Sequence, residues 1–196
     1  MHGLEANRPH ILLVCDKADF SASIEQLLRS HGPCRLEVCS SALEGRDRLQ
    51  HDAFDICFVN SPLEGNFAVP FIKTLVPLNY ATIVFLAPAE IRDETARHLE
   101  SLGVLVLRKP LHKKDFLDTF DMALVFSKRA RSLYEENARL RKKIHDLKLI
   151  DRAKVLLVEY LKLSEEQAHK YIEQQAMELR KSRAEIAQSI ISTYDY

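Results

Sequence analysis

The chain has 196 residues, 46% of them hydrophobic and 29% charged, with 28 Lys or Arg against 28 Asp or Glu. This is an ordinary globular composition, long enough for one good core plus a smaller module, and it excludes a collagen-like or fully disordered chain. No apolar stretch approaches the roughly 18 to 20 residues that span a bilayer, and residues 1–8 lack a signal-peptide pattern, so a cytoplasmic protein without a membrane partner is expected.

Charge is unevenly placed. Residues 127–183 hold 15 basic against 9 acidic side chains, whereas residues 1–126 hold 13 against 17. A basic C-terminal half suggests a polyanionic partner, although a helix with solvated lysines gives the same count. Cys15, Cys34, Cys39 and Cys57 form no Cys-x-x-Cys pair and neighbour apolar residues, which predicts buried free thiols. The histidines are scattered without ligand spacing, and no metal site is expected.

In chain order, strand-like runs alternate with helical stretches up to Pro110. The runs are 10–15, 35–39, 55–59, 81–86 and 104–107, and the helices between them cover 20–28, 42–50, 69–75 and 91–102. Apolar strands separated by amphipathic helices imply a parallel sheet covered on both faces. Five such strands fit an α/β flavodoxin-like, doubly wound domain. All 7 prolines and all 5 glycines lie at or before Pro110, so the rest of the chain is expected to be almost entirely helical.

The residues at the strand ends are Cys15 and Asp16 after the first run, Asn60 after the third, Ala87 after the fourth and Lys109-Pro110 after the fifth. Over about residues 9–126 this order resembles response-regulator receiver domains. In that family the first strand ends in two acidic Mg²⁺ ligands, the third in the phospho-accepting aspartate, the fourth in Thr or Ser and the fifth in Lys-Pro. Only Asp16 and Lys109 match. An asparagine amide cannot form an acyl phosphate, and loss of one acid weakens a site for a hard cation. The resemblance therefore implies a degenerate phosphorylation site at Cys15, Asp16, Asn60, Ala87 and Lys109. Two readings stay open: a pseudo-receiver controlled by something other than phosphate, or an inert polar cluster that only stabilises the fold.

From Phe116, apolar positions recur at spacings of three and four: Phe116, Thr119, Ala123, Phe126, Ala130, Leu133, Asn137, Leu140, Ile144 and Leu147. This heptad seam has Ala130, Asn137 and Ile144 at a, and Leu133, Leu140 and Leu147 at d, and predicts a parallel coiled-coil homodimer over about residues 116–150. Its dimerisation residues are Phe126, Ala130, Leu133, Asn137, Leu140, Ile144 and Leu147. A buried asparagine at a pairs with its copy and penalises other registers.

Two capping boxes divide the tail, Ser164 with Gln167 and Ser182 with Glu185, so helices are predicted to begin near residues 165 and 183. Their apolar faces are Ala153, Leu156, Leu157 and Tyr160; Ala168, Tyr171, Ile172, Gln175, Ala176 and Leu179; and Ile186, Ala187, Ile190 and Ile191. The segments 153–157, 163–168, 175–177 and 183–187 resemble the ANTAR family, which predicts a small three-helix module over residues 147–193. Two family glycines are absent: Val155 stands for one, and the other is replaced within Tyr160-Leu161-Lys162.

The whole architecture, including a receiver without its aspartate, is most similar to the amidase-regulator type of that family. This resemblance implies binding to stem-loops of nascent leader RNA so that a terminator does not form. It also implies control by a ligand-sensing negative regulator protein. Cations for phosphates and side chains for unpaired bases are what such a module requires. Lys154, Arg180, Lys181 and Arg183 are the phosphate candidates, and Gln174, Met177 and Ser182 the base candidates. The alternative is a DNA-binding response regulator, in which residues 183–191 enter a major groove. No nucleophile and base pair, phosphate-binding glycine loop or cofactor motif supports an enzyme.

Overall fold

Every apolar run before Pro110 forms a strand in the computed structural model, which describes residues 8–65, 68–77 and 81–194. In chain order these are β1 (His10–Val14), α1 (Ala18–His31), β2 (Arg35–Cys39), α2 (Ala42–His51), β3 (Ile56–Asn60), α3 (Val69–Leu75), β4 (Thr82–Ala87), α4 (Asp93–Ser101) and β5 (Leu105–Arg108). All pairings are parallel, in the order β2-β1-β3-β4-β5, so the chain reverses direction across the sheet at β1 and β3. In a doubly wound sheet this reversal opens a crevice at the carboxyl ends of the strands.

Side chains alternate faces along each strand, which divides the core into two layers. Leu12, Val14, Cys57, Val59 and Phe85 pack on one face against Ile72, Leu75 and Leu99. Ile11, Leu13, Ile56, Phe58, Val84 and Leu86 pack on the other against Ile24, Leu28, Phe116 and Phe120. On the first face α2 approaches β1 so closely that a Cβ on Gly45 would stand 2.9 Å from Val14, which makes that glycine a packing requirement. All four cysteines are free, three of them buried, and burial pushes the Cys39 and Cys57 thiols up from their ordinary range.

Three helices complete the chain: α5 (Lys113–Leu161), α6 (Glu165–Leu179) and α7 (Arg183–Tyr194). The chain divides into two units between Tyr134 and Glu135, inside α5. Within the first unit the beginning of α5 corrects the expected seam. Phe116 and Ala123 are 0% exposed, and the Phe116 ring stacks on Phe58 with centroids 5.2 Å apart. These positions serve the sheet, because a spacing of three and four fits packing on a core as well as packing on a partner helix. Farther along the same stripe, Phe126, Leu133, Leu140, Ile144 and Leu147 are all exposed.

The second unit has its own core of Ala153, Leu157, Ala168, Ile172, Ala176, Ile186, Ala187 and Ile190. Both capping boxes form: Ser164 and Gln167 exchange hydrogen bonds at the start of α6, and Ser182 and Glu185 do so at the start of α7. Tyr160, Tyr171 and Leu179, expected on apolar faces, are exposed instead. The alanines at the centre bring the helices close together, and the buried stripe is then too narrow to take the larger side chains at its edges. The Tyr160 and Tyr194 rings meet at this rim, 5.4 Å apart.

Candidate nucleic-acid interface and strand-end cluster

At the carboxyl edge of the sheet, Cys15 follows β1, Asn60 ends β3, Ala87 ends β4 and Lys109 follows β5, which brings the expected positions to one edge. The Lys109 ammonium donates to Asn60 Oδ1 at 2.7 Å and to the Ser61 carbonyl at 2.6 Å. It also lies 5.0 Å from the centroid of the Phe20 ring. Burial and the nearby charge of Lys17 lower its pKa. The Ala87 carbonyl accepts from the Lys109 backbone N–H at 2.9 Å.

Asn60 is 0% exposed, and its Nδ2 has no hydrogen-bond partner. With Oδ1 held by Lys109, the side chain offers no anionic oxygen at this strand end. The Asp16 carboxylate is exposed and accepts from the Glu64 backbone N–H at 2.9 Å. Cys15 Sγ accepts from the Lys17 backbone N–H at 3.4 Å. Among the described residues no group of three His, Cys, Asp or Glu side chains could hold a metal ion. With the Cys15 thiol in place of a second acid beside Asp16, a site for a hard cation is weakened.

In the C-terminal unit the candidate contacts separate into two sets. Lys154 is largely covered and bridges Asp151 at 3.0 Å and Glu165 at 3.2 Å, which ties α5 to α6. Arg183 pairs with Glu173 at 3.0 Å, linking α6 to α7. Ser182 is occupied by the cap, and Gln174 Nε2 donates to Glu178 at 2.8 Å. The other set, Met177, Arg180 and Lys181, is exposed around the α6–α7 turn, with Met177 80% exposed. Neither Arg180 nor Lys181 has an ion pair among the described residues.

The backbone of that turn explains the presentation. Arg180 adopts φ 53°, in the left-handed region, and the Lys181 N–H returns to the Ala176 carbonyl at 3.0 Å. This is a Schellman-type stop with arginine where glycine is cheapest. Lys162 adopts φ 54° between α5 and α6 in the same way. Residue-type reasoning passed over Lys162, and the replaced family glycine was its only signal. Lys162→Gly and Arg180→Gly are each expected to raise stability by roughly 0.5 to 1 kcal/mol, because an L residue in this region is strained. Chemical denaturation of the purified variants checks this, and a fall in midpoint for both would contradict it.

Residues 138–191 match the family described as the ANTAR domain. The C-terminal unit is an ANTAR domain. Its match begins at Ala138, inside the stretch expected to form the coiled coil. Over 93% of this chain and 89% of the relative, the sequence is 23% identical to the transcriptional regulatory protein PdtaR of Mycobacterium tuberculosis. Among solved structures, a CheY-like receiver domain protein from Methanospirillum hungatei superposes with TM-score 0.56 at 18% identity, covering 63% of this chain and 98% of that one. The signal receiver domain of an HD domain-containing protein from Pseudomonas fluorescens gives TM-score 0.56 at 20% identity, covering 64% and 93%. The chain is a receiver-like fold followed by a long helix and an ANTAR domain. No helix among the described residues is long and apolar enough to cross a membrane.

Proposed function

We propose that this protein is an RNA-binding transcription antitermination regulator whose ANTAR domain grips stem-loops of a nascent leader transcript. The carrying observation is the ANTAR match over residues 138–191, whose α6–α7 turn presents Arg180 and Lys181 without ion-pair partners among the described residues. The PdtaR relative, named a transcriptional regulatory protein, supports the regulatory class over an enzyme. The protein acts in the cytoplasm, where nascent RNA is made.

Two further parts belong to this reading. The chain works as a parallel homodimer through the stripe Phe126, Ala130, Leu133, Asn137, Leu140, Ile144 and Leu147, exposed except for the half-buried Ala130; the stripe has the heptad spacing that a second copy would cover. The receiver-like unit is a docking platform for a ligand-sensing partner rather than a phosphoacceptor, a role supported by the Lys109 to Asn60 hydrogen bond and the incomplete acid set.

Purified protein is expected to bind an RNA carrying two adjacent short-loop hairpins, with affinity falling as salt rises. Arg180→Ala with Lys181→Ala should weaken binding roughly tenfold or more in a fluorescence titration, with each lost phosphate contact lowering the salt slope by about one unit. Equal affinity for duplex DNA would instead favour a DNA-binding response regulator. Against that alternative stands the start of α7, where Arg183 is paired with Glu173 and Glu185 is used in the cap, leaving few groups to read bases.

A further inference from the structure

The two cations of the α6–α7 turn have a neighbour on another helix. The face of α5 that packs on the bundle is marked by Leu149, Ile150, Ala153 and Leu157, with Asp146 half-buried at its beginning. Lys142 lies on this same stripe, one helical turn before Asp146, where a side chain four residues away falls on the same face. After residues 162–164, α6 runs for 15 residues and packs on this face of α5 through Ala168, Ile172 and Ala176, which carries the α6–α7 turn toward the Lys142 end of the stripe. There the Glu185 carboxyl is held below the usual carboxylate range, first by its hydrogen bonds with Ser182 and then by the charges of Lys181 and Lys142.

In the heptad with Asn137 at a and Leu140 at d, Lys142 falls at f, the position farthest from the seam. A partner helix on the seam therefore leaves Lys142 uncovered. Two acidic groups adjoin it: Asp146, one turn along the same face, and Glu185, whose carboxylate is engaged by the Ser182 backbone N–H and hydroxyl, each at 2.7 Å. Nearby Arg139 is paired with Glu136 at 2.8 Å. Three exposed cations remain from two separate elements: Lys142 from α5, and Arg180 and Lys181 from the turn.

We propose that Lys142 forms one phosphate-binding surface with Arg180 and Lys181, so that the RNA backbone is held between α5 and the α6–α7 turn. The inference rests on the RNA-binding reading above and extends the contact surface from the bundle onto the long helix. Clustered cations from two elements suit a phosphate backbone, which presents closely spaced charges. Lysine acts here as a point charge, so Lys142→Arg should preserve binding.

The test uses the full chain and a fluorescein-labelled transcript carrying two adjacent stem-loops with short terminal loops. Lys142→Ala is expected to weaken binding roughly threefold to tenfold and to lower the slope of log affinity against log salt by about one unit. Lys170→Ala is the control, since it removes the same charge from α6 at a lysine already paired with Glu166; it should change affinity less than about twofold. Melting temperature and sedimentation of Lys142→Ala should match wild type, which separates lost contact from lost fold or lost dimer. If Arg180→Ala with Lys181→Ala weakens binding while Lys142→Ala matches wild type, the inference is overturned and the RNA-binding reading survives. Equal losses from Lys142→Ala and Lys170→Ala also overturn it, since overall charge would then account for both. If wild type does not bind the transcript, the RNA-binding reading itself fails.

Discussion

Ile172→Ala is expected to unfold the ANTAR domain and abolish RNA binding. Ile172 is 1% exposed at the middle of α6 and is one of the eight buried residues of that core cluster. Truncation of a buried isoleucine costs about 2 to 5 kcal/mol, lost solvation plus the cavity left behind. A small helical unit rarely has more than roughly 3 to 5 kcal/mol to lose. The alanines at 153, 168, 176 and 187 worsen the loss, since they bring backbones together and leave few side chains able to move into the void. Thermal circular dichroism should show early loss of part of the helical signal. The sheet's two layers, which do not contain Ile172, should keep their own transition. Ile172→Val should cost only about 0.5 to 1.5 kcal/mol and retain binding. An alanine variant that melts like wild type would mean that α6 is not held by this core.

The second large effect concerns the proposed dimer. Leu140→Glu with Ile144→Glu is expected to convert it to a monomer of 22.5 kDa, read by sedimentation velocity. Both side chains are exposed in the single chain, at 47% and 55%, so the substitutions should leave the fold of one protomer intact. Across the two-fold seam they remove four apolar side chains, each worth about 1.5 to 3 kcal/mol when buried, and place like charges opposite each other. The monomer should also bind a two-hairpin RNA at least tenfold more weakly, because linked sites gain affinity from effective concentration. Binding to a single hairpin should change little. A wild-type chain that sediments as a monomer at micromolar concentration would remove the dimer from the proposal.

Much of the architecture was legible in the sequence because its signals are local. The five strands are apolar runs punctuated by proline and glycine, and helices α6 and α7 begin where their capping boxes place them. Asn60 and Lys109 could be aligned from their positions at strand ends, and the fold brings them to 2.7 Å. What escaped depends on tertiary neighbours. Phe116 and Ala123 have the spacing of a seam, and only the sheet beneath them makes them core. Lys154 and Arg183 look like free cations until Asp151, Glu165 and Glu173 arrive from other turns and helices. Lys162 was hidden by its ordinary side chain, since the unusual feature is its backbone.

The Lys109 to Asn60 hydrogen bond bears on how a signal can enter this molecule. An aspartate at that place lets a kinase write a covalent mark, which one enzyme can copy onto many targets and which persists until hydrolysed. The amide gives the lysine a permanent neutral acceptor in place of that mark. In the docking role proposed for the receiver-like unit, control follows mass action: its strength is set by partner concentration relative to the dissociation constant. Such a switch has no amplification and no memory. It needs a partner produced in proportion to the regulator, and it resets as fast as that partner leaves.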